Sequence, residues 1–136
     1  MDEPLTPRVL VLGLDPYRVP GPWDPRPVAE AVDVGRARFV EHGVGAEFCL
    51  VGLDGSDDVE AVVAAALAAR PWECVVIGGG VRHDPELFER VVNLVRRHAP
   101  GAAIAFNETP SDTFEAAARW LDRPGTPAGG RATPEA

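Results

Sequence analysis

The sequence predicts one doubly wound α/β domain of the flavodoxin-like class, a three-layer body with four parallel strands in the order 2-1-3-4. Three observations lead there. Four short runs, "RVLVLGL" (8–14), "AEFCLVG" (46–52), "CVVIG" (74–78) and "AAIAF" (102–106), are apolar throughout rather than alternating, as in strands covered on both faces. Each is followed by a helical pattern after a short connection, and that alternation builds a parallel sheet through right-handed crossovers. At 136 residues the chain can fill one two-sided core and not two.

Taken in order, residues 1–7, "MDEPLTP", form an acidic, proline-containing tail without the apolar stretch of a secretory signal, which points to the cytoplasm. The domain spans 8–122. After the first strand, residues 16–27 hold five prolines; a strand-to-helix connection of that length reads as a lid or binding loop. Its aromatics, Tyr17 and Trp23, could stack on a flat ligand, or Trp23 could pin the loop to the body. The first helix starts from Asp24 as N-cap with Pro25 at the first position, turns Val28, Val32, Gly35 and Phe39 to one face, and closes at Gly43.

The second helix begins at Asp57, with Glu60 completing a capping box, buries Val59, Val62, Val63, Ala66 and Leu67, and stops before Pro71. Asp84 caps the third, Pro85 takes its first position, and its inner face is Leu87, Phe88, Val91, Leu94 and Val95, ending at "APG" (99–101). The fourth runs from Thr109 to Leu121 and buries Phe114, Ala117 and Leu121. Trp72 and Trp120 read as core. Residues 123–136, rich in proline and glycine with no aliphatic side chain larger than alanine, form a disordered C-terminal tail.

Composition excludes several classes of function. A formal charge of −8 opposes nonspecific contact with nucleic acid or anionic lipid, and no apolar run is long enough to span a membrane. All 13 basic residues are arginine, so Schiff-base chemistry and a phosphate-loop lysine are both ruled out. Cys49 and Cys74 sit inside apolar runs as reduced, buried thiols. His42 and His98 fall in last helical turns, His83 lies elsewhere, and with the histidines so dispersed no metal site is expected. No cofactor is expected either, because the first strand lacks the glycine-rich turn of a dinucleotide site.

In such sheets ligands bind beyond the carboxyl ends of the strands, at the switch point between strands 1 and 3. Asp15 closes an apolar strand in "LGLDP", where partial desolvation suits a working acid or base; it could equally bond its own turn before Pro16. In "VVIGGGVRHD" the glycines Gly78, Gly79 and Gly80 are expected to take positive φ and offer N–H groups to an anion, beside the fork of Arg82. They could also make a plain tight turn. His83 is a candidate proton carrier or a solvated surface residue, Asp84 a cap. Asn107 and Glu108, at the end of the fourth strand, would orient a substrate, or Asn107 would tie that strand to a neighbouring loop.

The residues therefore suggest a small-molecule site, and the first expectation is a cofactor-independent enzyme acting on a small polar or anionic metabolite by proton transfer, of isomerase, lyase or cyclase type. Asp15 and His83 would be catalytic, and Tyr17, the three glycines, Arg82, Asn107 and Glu108 would bind. The alternative is a non-catalytic ligand-sensing or protein-interaction module, which predicts a crevice filled by the chain's own side chains. The last strand would be an open edge unless the fourth helix or a second subunit covers it, so a homodimer is also an expectation.

"VLGLDP", "CVVIGGGVR", "IAFNETP" and "AARWL", in that order over residues 8–121, resemble a family of short, uncharacterised bacterial α/β proteins. The resemblance implies the doubly wound fold and singles out Asp15, Arg82 and Asn107, but implies no reaction. The proline-rich first loop departs from the family pattern. Response-regulator receivers need an aspartate at the end of strand 3 and a lysine near the last strand, and flavodoxins a Ser/Thr-rich phosphate loop after strand 1. Neither pattern is present.

Overall fold

The computed structural model describes residues 5–121; the tail expected at 123–136 and the first four residues of the one expected at 1–7 lie outside them. Strands β1 (Pro7–Leu14), β2 (Gly45–Val51), β3 (Cys74–Ile77) and β4 (Ala103–Phe106) pair in parallel, in the order β2-β1-β3-β4. This is the doubly wound, flavodoxin-like arrangement expected from the apolar runs. No helix among the described residues is long and apolar enough to cross a membrane.

Because side chains alternate across a strand, the apolar runs feed two cores at once. Leu10, Leu12, Val75 and Ile77 point to one face, where α2 (Val59–Ala68) and α4 (Pro85–His98) cover them with Val63, Leu67, Val91, Leu94 and Val95. Val9, Val11, Cys74 and Val76 point to the other, under α1 (Arg26–Glu41) and α5 (Thr113–Ala118). Burial pushes the Cys74 thiol up to about 12, so it stays protonated and inert at neutral pH. Both cysteines are free.

The helix ends follow local chemistry, with shifts of about one residue. Asp24 accepts from the Arg26 N–H, but the cap position belongs to Pro25. Gly43, with φ of 69°, closes α1. Asp58 caps α2 by accepting from Ala61 N–H, and Asp57, expected in that role, is drawn instead to Gly52 N–H and Arg18. Asp84 and Pro85 start α4 as expected. A capping box of Thr109 and Asp112 organises a 3₁₀ turn, Pro110–Asp112, and α5 then lasts six residues only.

Trp72 is buried and its indole donates to Ala66 O. Trp120 is 46% exposed, against expectation, because α5 ends two residues before it and no longer carries the chain across the sheet.

The α1/α5 layer is anchored at one tight point. A Cβ built on Gly35 would lie 2.3 Å from the carbonyl oxygen of Pro110, so α1 touches backbone there and no larger residue fits. Below that point Phe39 is buried, with edge-to-face contacts to Phe48 and Phe114. Above it Val28 and Val32 are only half-buried. The helix and the sheet therefore part toward the carboxyl ends of the strands.

Gly35→Ala measures this contact. Alanine gains roughly 1 kcal/mol of helix propensity, but overpacking against fixed backbone costs about 1–3 kcal/mol. We expect a net loss of stability in urea unfolding, and a gain would show that the helix does not rest on Pro110.

Candidate functional site

The parallel sheet ends in carbonyl groups that have no further strand to accept from, and at this edge two arginines supply donors. After β1 a 3₁₀ turn, Pro16–Arg18, is capped by Asp15, whose carboxylate accepts from Tyr17 N–H and from Arg18 Nε, both at 2.9 Å. Arg18 then reaches across to the β2 loop. Its Nη1 donates to Asp57 (2.8 Å) and Ser56 (3.0 Å) and its Nη2 to Leu50 O (3.3 Å). Asp57 also accepts from Gly52 N–H, and that bond foremost, then the guanidinium, holds its carboxyl below the usual aspartate range.

After β3 the chain does not form the open, positive-φ loop that three glycines suggested. Gly78 takes φ of −72° as N-cap, and Gly79–Arg82 winds into one helical turn, α3. Gly78, Gly79 and Gly80 all keep φ out of the positive region. Their small size serves close packing instead: a Cβ on Gly78 would sit 3.3 Å from Leu12 O, and one on Gly80 would meet the Leu14 side chain at 2.8 Å.

This turn delivers Arg82 to the ends of β3 and β4. Arg82 Nη1 donates to Ile77 O and, at 3.1 Å, to Asn107 Oδ1, and Nη2 donates to Asn107 O at 2.6 Å. Its guanidinium also lies 5.2 Å from the Phe106 ring centroid. Asn107 is buried and passes the connection on, for its Nδ2 donates to Thr113 Oγ1 and that hydroxyl donates to Pro110 O. One chain of hydrogen bonds thus runs from α3 to the carbonyl on which Gly35 rests.

Between the two arginine systems opens a cleft of ≈330 Å³. Its floor is Val11, Gly13 and Gly78; its walls are Val28, Val32 and Phe48 on one side and Pro110 and Thr113 on the other. Trp23 stands at the mouth, its indole N–H donating to Val19 O, so the ring is fixed in place. Of the residues expected at the site, Gly78, Gly79, Gly80, Asn107 and Glu108 line the cleft. Asp15 and Arg82 stand behind it in the two networks, and Asp15 faces Arg18 rather than Arg82. Tyr17 is 64% exposed and His83 is exposed, both outside the lining.

The valines, Phe48 and Thr113 were not anticipated as lining. Val28 and Val32 carry the same helical periodicity as Phe39, and periodicity reports which face turns inward, not whether the space in front of it is filled.

Several polar groups of the cleft are engaged in the fold. Asn107 and Thr113 bond each other, Glu108 N–H and Thr109 N–H both donate to Asp112, and Thr109 Oγ1 pairs with Ser111. Among the described residues Glu108 is the one ionisable side chain in the lining. What the arrangement offers a ligand is an apolar slot, a fixed indole and a carboxylate at the rim.

Two outcomes follow from the arginine systems. Arg82→Ala should cost roughly 2–3 kcal/mol, since charged hydrogen bonds are lost and Ile77 and Asn107 carbonyls are left unpaired; a loss under 0.5 kcal/mol in denaturant titration would mean the carbonyls are served otherwise. For Asp57 the folded carboxyl titrates below its ordinary 3.8, so its contribution is complete above that value and is lost as pH falls through the depressed folded value. Asp57→Asn should flatten the acid limb of the stability profile below about pH 4, read from thermal unfolding across pH. Compared with known proteins, the chain matches no family model and no curated protein.

Proposed function

We propose that this protein is a small-molecule-binding domain that holds a compact, mostly apolar ligand in the cleft between α1 and the carboxyl ends of β1, β3 and β4. One observation carries the reading: the crevice at the switch point is open, walled by valines too short to close it, and its size falls within the range of ligand pockets. A module that kept the fold without a ligand would be expected to fill that space with its own side chains. Apolar surface left open in this way is disfavoured unless something covers it.

Binding without proton transfer fits this geometry better than acid–base catalysis. A general base must lie within hydrogen-bond reach of its substrate. Asp15 is turned to Arg18 and the Tyr17 amide, and His83 faces solvent away from the lining. Arg82, the group expected to hold an anion, spends both terminal nitrogens on Ile77 and Asn107.

Val32→Trp tests the proposal by filling the slot. In a fragment screen by amide-resolved NMR, the wild-type protein should show saturable shifts at Gly78–Gly80 and Thr113, with stabilisation of about 1.4 kcal/mol at ten times Kd. Val32→Trp should keep the folded spectrum and lose those shifts. Fragments that bind both proteins alike would sink the reading.

A further inference from the structure

We infer that the ligand of this cleft carries a positive charge: an apolar amine whose body fills the slot and whose ammonium lies at the rim between Glu108 and the face of Trp23. The inference rests on the binding proposal above and adds the chemical class. Among the described residues the lining contains a single ionisable side chain, and it is acidic.

The arginines that meet the strand ends do not reverse that sign of preference. Arg18 is held by Asp15 and Asp57, while Arg82 is turned toward Ile77 O and Asn107. Arg119, beyond β4, donates to Phe106 O. None of the three forms an ion pair with Glu108 among the described residues, and no basic residue lines the slot. An anion entering here would meet a carboxylate and no free guanidinium.

Other carboxylates around this end are committed to the fold. Asp15 and Asp57 serve Arg18, Asp24 serves Arg26, and Asp112 accepts from two backbone N–H groups. Glu108 is held by its backbone alone: its N–H donates to Asp112, which fixes where the residue sits, while its carboxylate stays exposed at the mouth. Trp23 adds to this, since a fixed indole face attracts an ammonium by its quadrupole. Glu108 and Trp23 both line the one apolar slot, so an amphipathic cation bound there has a carboxylate and an indole within the same lining.

Three probes of nearly equal size separate the possibilities: 2-phenylethylammonium, 2-phenylethanol and phenylacetate, titrated at pH 7 into the wild-type protein and Glu108→Gln with the amides of Gly78–Gly80 and Thr113 as reporters. The ammonium should bind roughly fivefold more tightly than the alcohol, with the carboxylate weakest. Glu108→Gln should remove most of that preference, leave the alcohol unchanged, and make the ammonium insensitive to added salt. Equal binding of all three, a preference for phenylacetate, or a preference for the ammonium that survives Glu108→Gln would overturn the inference. If no probe shifts the reporters and a wider set of apolar fragments also fails, the binding proposal falls, and the charge inference with it.

Discussion

The structure depends most on how the open carboxyl edge of its parallel sheet is closed. A parallel strand that stops leaves carbonyl groups pointing at nothing, and unpaired backbone groups out of water are costly. Here one guanidinium bridges the ends of β1 and β2 and another bridges β3 and β4. The two bridges tie the loops in pairs, and between the pairs, where β1 meets β3, the described residues place no third arginine; there the Gly78 N–H donates to Leu12 O at 2.8 Å and the loops beyond it diverge. The cleft occupies that gap.

Why it opens on one face only follows from side-chain volume. The α2/α4 face is filled by leucines and valines of the strands and of both helices, with Trp72 added from the loop before β3. On the other, α5 is six residues long and offers Ala116 and Ala117 to the core, with Phe39 providing most of the bulk. Gly35 lets α1 descend onto Pro110 O, and the helix pivots about that contact away from the sheet. Because Pro110 O also accepts the Thr113 hydroxyl at the end of the Arg82–Asn107 relay, the pivot and the right-hand arginine bridge are one mechanical unit. The width of the cleft is thus set by hydrogen bonds within its own wall.

Much of this architecture could be read from the chain. Continuous apolar runs gave the strands, and the strand order followed from handedness and the switch-point rule, because both are properties of local segments and of chirality. Asp84 with Pro85, and Thr109 as a cap, were legible for the same reason, but not the Asp112 that completes the box of Thr109. The site was legible in its location and not in its chemistry. That Arg18 would take Asp15, three residues away, and also Asp57, in the β2 loop, depends on how two loops meet in space. The glycines misled for a related reason: "GGG" looks the same whether it makes room for a turn or for a neighbour, and only the proximity of Leu12 and Leu14 decides. Asp57 failed as a helix cap because a guanidinium outbid the helix for its carboxylate.

The absence of lysine gains a structural meaning from these contacts. Arg82 reaches Ile77 O, Asn107 Oδ1 and Asn107 O from two nitrogens of one plane, and Arg18 reaches two carboxylates, a hydroxyl and a carbonyl from three. Acceptors that far apart match a planar fork, whereas an ammonium presents its donors from a single point. The same commitment removes both guanidiniums from ligand chemistry. In this domain the cations hold the edge of the sheet, and among the described residues the ionisable side chain left in the lining of the slot is that of Glu108.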